Sequence, residues 1–513
     1  MANKYQSFLV LLVLCVVQSQ SEEVPKNITV DATASSSVAP TKAPTPAPVT
    51  KPAIVGTDMI CNECDCKKGV IDCRNKNIDE FYTVPDWIGV QELKPTRVDM
   101  SLNSFSEVTE FPELPIIVLD LSHGEIDSFQ KAAFKQLQQM TELDLSHNNI
   151  TSDALTPDVF EGKYMPEEYE PLRSMRKLKL SYNQLHSLHQ DLFEHLPELE
   201  ELRLDGNPLM VLDHITIIAI SSLALLKVLD LSNCQLKELP ETSLHSPRKL
   251  EWLDLSSNNL QVVPSALEDA VSLTFLSLSK NPIKVIEADS TVYKPFPRMK
   301  ALIDLRLCYM PRLQSINARA MAGLESLQAL HINNNPALSF IDPTALQRKD
   351  EVGEGMDWPP ITELYIDHNN LSVIDSGLLG RWDKLKFLDI QANPYLCDCS
   401  TQWMVDTLAD VARRITNNLT SNIICHEPIE MRGKSLIHLE DIHRHMRCSD
   451  KYGDRPERDA AILIGTLIGV LITIPTVLGI LLMYKRGYFG ICGAGPAAFS
   501  RAFYKRAGTE EFM

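Results

Sequence analysis

One spacing of apolar positions returns twelve times along this chain: an apolar residue, apolar again at +3 and +5, Asn or a stand-in at +8, and usually apolar at +10. Met140-Leu143-Leu145-Asn148-Ile150, Leu199-Leu202-Leu204-Asn207-Leu209 and Leu250-Leu253-Leu255-Asn258-Leu260 are clear copies. The +3 residues are Val98, Leu119, Leu143, Leu178, Leu202, Leu229, Leu253, Leu276, Leu305, Leu330, Leu364 and Leu388, at intervals of 21 to 35 residues and most often 24. In-and-out alternation around +3 and +5 predicts a short strand in every copy. One such strand cannot bury its apolar face alone, so neighbours must stack and share a core. Twelve strands about 4.8 Å apart make a parallel sheet on the order of 50 Å long. Amphipathic helices with Leu at i and i+3 would explain neither the regular Asn nor the +5 Leu. The Asn carries both donors and acceptors for backbone groups stranded inside a coil. Cys234 and Met310 replace it in two repeats, and Met310 predicts a coil less tightly tied.

Cysteines gather at both ends of the repeats: Cys61, Cys64, Cys66 and Cys73 before them, Cys397, Cys399, Cys425 and Cys448 after. Spacing alone allows three pairings for each set of four. A secreted context favours disulfides over zinc, so no metal or cofactor is expected. The L-x-x-L-x-L-x-x-N-x-L pattern resembles the extracellular leucine-rich repeats. Asn393-Pro394-Tyr395-Leu396-Cys397-Asp398-Cys399, with Trp403, Cys425-His426-Glu427-Pro428 and Arg432-Gly433, resembles their C-terminal flanking module, and the upstream cluster their N-terminal one. The resemblance spans about residues 61–448. It implies an α/β-type solenoid, a horseshoe with a parallel sheet on its concave face and disulfide caps. It also implies the pairs Cys61–Cys66, Cys64–Cys73, Cys397–Cys425 and Cys399–Cys448. Phe134 and Phe193, three residues before Leu137 and Leu196, resemble the aromatic spine of such solenoids.

The flanks set the expected topology. Lys4 followed by the apolar run Phe8 to Val17 reads as a signal peptide, residues 1–21. Residues 22–60 include a Pro/Thr/Ala-rich stretch without the large apolar residues a core needs, so this segment is expected to be disordered. A cap over 61–94, twelve repeats over 95–392, a second cap over 393–448 and a stalk over 449–459 follow. Residues 460–484 carry no charge and, at about 1.5 Å per residue, match the roughly 30 Å hydrocarbon core as a transmembrane helix. Lys485, Arg486, Arg501, Lys505 and Arg506 then predict a cytoplasmic tail, 485–513. The expected protein is a single-pass type I plasma-membrane protein with its N-terminus outside. The tail carries +3 of a total formal charge of −18, leaving −21 elsewhere, which argues against nucleic acid as the ligand.

Candidate chemistry is that of a binding surface. Between the +3 and +5 positions stand Asp99, Asp120, Asp144, Lys179, Arg203, Asp230, Asp254, Ser277, Arg306, His331, Tyr365 and Asp389, which register places on the exposed concave face. Trp252 and Phe275 lie one column over in adjacent repeats, about 5 Å apart, and resemble interface anchors. Tyr309 and Tyr365 extend the candidate site. Asn27, Asn149, Asn370 and Asn418 begin N-x-S/T sequons and are glycosylation candidates. Cys308 is an extra thiol read as facing the concave side, where an interchain disulfide is one use for it. Cys492 lies eight residues past the membrane as a palmitoylation candidate. Two insertions, 156–171 and 348–360, map to loops suited either to recognition or to solvated slack. Gly465 and Gly469 form a G-x-x-x-G face that admits a homodimer, and a short tail leaves signalling to a cytoplasmic adaptor. No G-x-S-x-G, H-E-x-x-H or phosphate-binding glycine loop occurs, so no enzyme is expected. The expected function is a cell-surface receptor for protein recognition or adhesion. The alternative is an accessory receptor that captures a secreted ligand or modulates a signalling receptor.

Overall fold

The computed structural model describes residues 59–165, 168–349, 355–415, 422–448 and 456–486. Each of the twelve +3 residues is the centre of a three-residue strand. These are β3 (Arg97–Asp99), β4 (Val118–Asp120), β5 (Glu142–Asp144), β6 (Lys177–Lys179), β7 (Glu201–Arg203), β8 (Val228–Asp230), β9 (Trp252–Asp254), β10 (Phe275–Ser277), β11 (Asp304–Arg306), β12 (Ala329–His331), β13 (Glu363–Tyr365) and β14 (Phe387–Asp389). The sheet is longer than the twelve strands expected. The N-terminal cap adds β1 (Asp65–Lys67) and β2 (Val70–Asp72), giving fourteen strands in chain order. The cap hairpin β1–β2 is antiparallel, while β2 pairs parallel with β3 and sets Ile71 against Val98. A period of two per strand made these short cap strands invisible beside the repeats.

Parallel pairing in one register puts leucine beside leucine, as in Leu202–Leu229 and Leu253–Leu276. The buried residues form one cluster continuous from Ile60 to Met446. Each coil contributes only a few of them, so removing any coil would expose the faces of two others. Phe134 stacks between Phe111 and Phe160, each 6.1 Å away, and Phe111 meets Phe81 and Trp87 at 5.3 and 5.2 Å. The aromatic spine therefore reaches into the N-terminal cap.

The +8 asparagines form a ladder. Asn258 accepts at Oδ1 from the backbone N–H groups of Cys234 and Leu236, both at 3.0 Å, and donates from Nδ2 to Leu231 O (2.8 Å) and Leu255 O (3.0 Å). Asn103 and Asn148 repeat the arrangement one coil to the next. Cys234 keeps one rung, its thiol donating to Leu204 O at 3.3 Å. Met310 is fully buried and offers no donor; its own N–H is held by Asn335 Oδ1 at 2.7 Å. A third coil also departs from asparagine, at Gly124, where a Cβ would lie 2.9 Å from Asn148 Oδ1. The residue before each ladder position, +7, is left-handed in all twelve coils, from Leu102 (φ 61°) to Ala392 (φ 50°), although only Gly206 is glycine. That turn aims +8 back into the coil, against a local cost of about 1–2 kcal/mol for a residue with a Cβ.

Both insertions are pinned to the solenoid. The first forms a hairpin, Lys163–Met165 with Glu168–Glu170, and Tyr169 Oη donates to Glu194 O at 2.9 Å. The second pairs Arg348–Lys349 with Met356–Asp357; Arg348 bridges Glu325 (3.0 Å) and Asp357, and Trp358 Nε1 donates to Gly377 O at 3.2 Å.

The C-terminal cap closes the core with Tyr395, Met404, Val405, Leu408 and Leu439, all buried. A separate helix runs Pro456–Lys485; its stretch Ala461–Lys485, 25 residues of mean hydropathy 2.4, is long and apolar enough to cross a membrane. Gly465 and Gly469 face open space there.

Candidate functional site

The strand residues on either side of each inward leucine face outward, and this face differs from a simple row of exposed charges. Six of the aspartates are tied into their own coils. Asp99 Oδ1 accepts from Ser101 Oγ (2.6 Å) and N–H (3.2 Å), and Asp120 from Ser122 in the same way. Asp144, Asp230 and Asp254 accept the N–H of Ser146, Ser232 and Ser256, and Asp389 that of Gln391. Asp99, Asp230 and Ser277 are buried rather than exposed. The +6 serine folds back over the strand end to bond Asp99 and Asp230, which spacing in sequence does not reveal. Burial pushes the Asp230 carboxyl up to about 6, with Asp205 and Asp254 adding repulsion against the hydrogen bonds from Ser232.

Trp252 and Phe275 stack at 5.1 Å with planes 6° apart, and both are half-buried. They do not stand alone. The Arg203 guanidinium lies 5.9 Å from the Trp252 ring centre and that of Arg306 lies 4.9 Å from Phe275. Each arginine is tethered by carboxylates: Arg203 to Glu201 at 2.6 Å and Asp230 at 3.7 Å, Arg306 to Asp304 at 3.1 Å. The pair is thus an Arg–Trp–Phe–Arg assembly whose cations come from the chain itself.

Tyr365 belongs to a second stack, between His331 (4.2 Å) and Phe387 (4.5 Å). Phe387 occupies the same column as Trp252 and Phe275, a signal present in the sequence but not drawn on. Tyr309 stands apart from both sets. It is a left-handed +7 residue beyond the strand end, 56% exposed. That row carries a third stack unseen in the sequence, His123–His147–Tyr182, at 4.1 and 4.5 Å. Burial and the neighbouring His123 hold the His147 imidazole below its ordinary value. Gly206 continues the row, and a Cβ there would sit 2.6 Å from the Tyr182 ring.

Cys308 is partly buried, its thiol donating to Asn333 Oδ1 at 2.8 Å, and burial pushes its pKa up. Both features oppose the thiolate that an interchain disulfide would need. The eight cap cysteines pair as Cys61–Cys66, Cys64–Cys73, Cys397–Cys425 and Cys399–Cys448. Asn149 and Asn370 are exposed, each directly after a ladder asparagine. Asn27, Asn418 and Cys492 lie outside the described residues, as do the expected signal peptide, residues 1–21, and the expected tail beyond 486. A cleft of about 580 Å³ opens where the last coil meets the C-terminal cap, lined in part by His368, Gln391, Pro394, Ile424 and His426.

The family model for leucine rich repeats matches residues 117–162, 169–209 and 224–283. The chain carries leucine-rich repeats between disulfide-bonded caps. Among curated relatives it is 28% identical to Tsukushi of Gallus gallus over 303 residues, 58% of this chain and 73% of that one. It is 27% identical to lumican of Gallus gallus over 326 residues, 62% of this chain and 84% of that one. The match to podocan-like protein 1 of Homo sapiens, 27% over 314 residues, covers 57% of this chain and 56% of that one.

Proposed function

We propose that this leucine-rich-repeat protein is a single-pass type I cell-surface receptor that recognises a protein partner, or mediates adhesion, through the outward face of its sheet. The observation that carries the proposal is the set of five half-buried rings on that one face, Trp252, Phe275, His331, Tyr365 and Phe387. Stacked aromatics lose little rotamer freedom on binding and concentrate interface energy. The Ala461–Lys485 helix supplies the anchor, and exposed Asn149 and Asn370 suit glycosylation outside the cell.

Cells expressing the full chain should cluster with one another or with partner-bearing cells. Trp252→Ala should abolish clustering at unchanged surface level, weakening binding by about thirtyfold or more if Trp252 is a hot spot worth about 2 kcal/mol. Free mixing of wild-type cells, together with no ligand found in a screen of cell-surface and secreted proteins, would sink the proposal.

A further inference from the structure

The middle of the sheet face shows how this protein seats a cation. Stacked rings on β9 and β10 are flanked by two guanidinium groups, each held by a neighbouring carboxylate. The last three strands carry the same parts without the cation. Their nine outward positions hold three carboxylates, Glu363, Asp367 and Asp389, and three stacked rings, His331, Tyr365 and Phe387, but no lysine or arginine. Among the described residues no lysine or arginine bridges any of the three carboxylates. Glu363 receives only a long hydrogen bond from Tyr365 Oη (3.4 Å), Asp367 meets His368 Nδ1 (2.7 Å), and Asp389 holds Gln391. The adjacent strand β11 carries Arg306, already committed to Asp304 at 3.1 Å.

The same imbalance runs along the whole face. Its 36 outward strand and strand-end positions carry twelve carboxylates against five lysine and arginine side chains, a formal −7 out of the chain's −18. Four of those five cations are bridged to carboxylates of the face, namely Lys177, Lys179, Arg203 and Arg306. A cation brought to β12–β14 would gain both the ring faces and unspent negative charge.

We propose that the outward face of β12–β14 seats a lysine or arginine side chain of a basic protein partner, which takes the place that Arg203 and Arg306 fill in mid-sheet. This rests on the recognition role proposed above and adds the partner's chemistry.

The test uses the purified full-length chain in non-ionic detergent micelles, with fluorescent deca-arginine and deca-glutamate peptides as probes at 150 mM salt. Deca-arginine should bind, weaken at least tenfold on Tyr365→Ala or on Glu363→Gln with Asp389→Asn, and stay within threefold on Tyr365→Phe. Glu238→Gln with Glu241→Gln, an equal charge change outside the sheet, should leave binding within twofold. Binding of deca-glutamate, no loss on Tyr365→Ala, or an equal loss in the Glu238/Glu241 variant would overturn the proposal. The two proposals fail separately. A cell-surface partner lost on Trp252→Ala but indifferent to the β12–β14 variants overturns only this one. Peptide binding that follows the pattern above, without any face-dependent protein partner, overturns only the recognition role.

Discussion

Replacing Asn258 by alanine should damage the solenoid far more than its small volume suggests. Asn258 is almost fully buried and closes five backbone hydrogen bonds, the longest to Ser256 O at 3.3 Å. Two of the five partners retain another donor, Leu255 O in Asn281 Nδ2 and Ser256 O in the Asn233 N–H, both at 2.9 Å. Cys234 N–H, Leu236 N–H and Leu231 O lose their side-chain partner. Three stranded buried groups at about 1–3 kcal/mol each give a cost of about 3–9 kcal/mol, the lower end applying where water enters the hole. Cys234→Ala provides the internal comparison. It removes one thiol donor from Leu204 O, which keeps Asn207 Nδ2 at 2.9 Å, so a loss of about 1 kcal/mol is expected. Amide hydrogen exchange on the full-length chain in micelles reads both. Cys234 and Leu236 amides should exchange at least a hundredfold faster in Asn258→Ala, since 1.4 kcal/mol is tenfold. Gly124 and Ile126 amides, held by Asn148 four coils away, should change far less. If Asn258→Ala accelerates exchange no more than Cys234→Ala, the ladder is not what ties the coils together.

Three further outcomes follow from other parts of the molecule. Asp230 has a folded-state pKa near 6, above its unfolded value near 3.9, so its penalty is absent below pH 4 and fully present above pH 6. Asp230→Asn should therefore raise stability by up to about 2–3 kcal/mol at pH 7 and by almost nothing at pH 3, as thermal unfolding against pH would show. Gly206→Ala meets the Tyr182 ring at 2.6 Å and needs φ near 75°, so its melting temperature should fall. In a Tyr182→Ala background the same change should cost only the left-handed penalty, about 1–2 kcal/mol, and an undiminished cost there would disprove the clash. Cys399→Ser opens a 49-residue disulfide span worth about 4 kcal/mol, and the mutant should be retained in the secretory pathway; normal surface delivery would count against the C-terminal cap.

Much of the solenoid could be read without coordinates because each repeat states its own strand. Val98 through Leu388 mark twelve strand centres, and in-register parallel pairing then sets the columns, so the closeness of Trp252 and Phe275 followed from spacing alone. Identity within a column was legible; what each side chain does there was not. The aspartates looked like free surface charge until Ser101, Ser122 and their equivalents turned back onto them. The cap hairpin β1–β2 was too short for any period to show.

Sequence by itself determined the repeating coil, its inward leucines, the asparagine ladder and the candidate membrane helix, because each is a local pattern repeated or sustained along one stretch. Tertiary structure alone decided that Arg203 reaches Trp252 two strands away, and that His123, His147 and Tyr182 stack through left-handed turns. Those outcomes depend on side-chain reach and on the handedness of single residues across coils, which no spacing along the chain encodes.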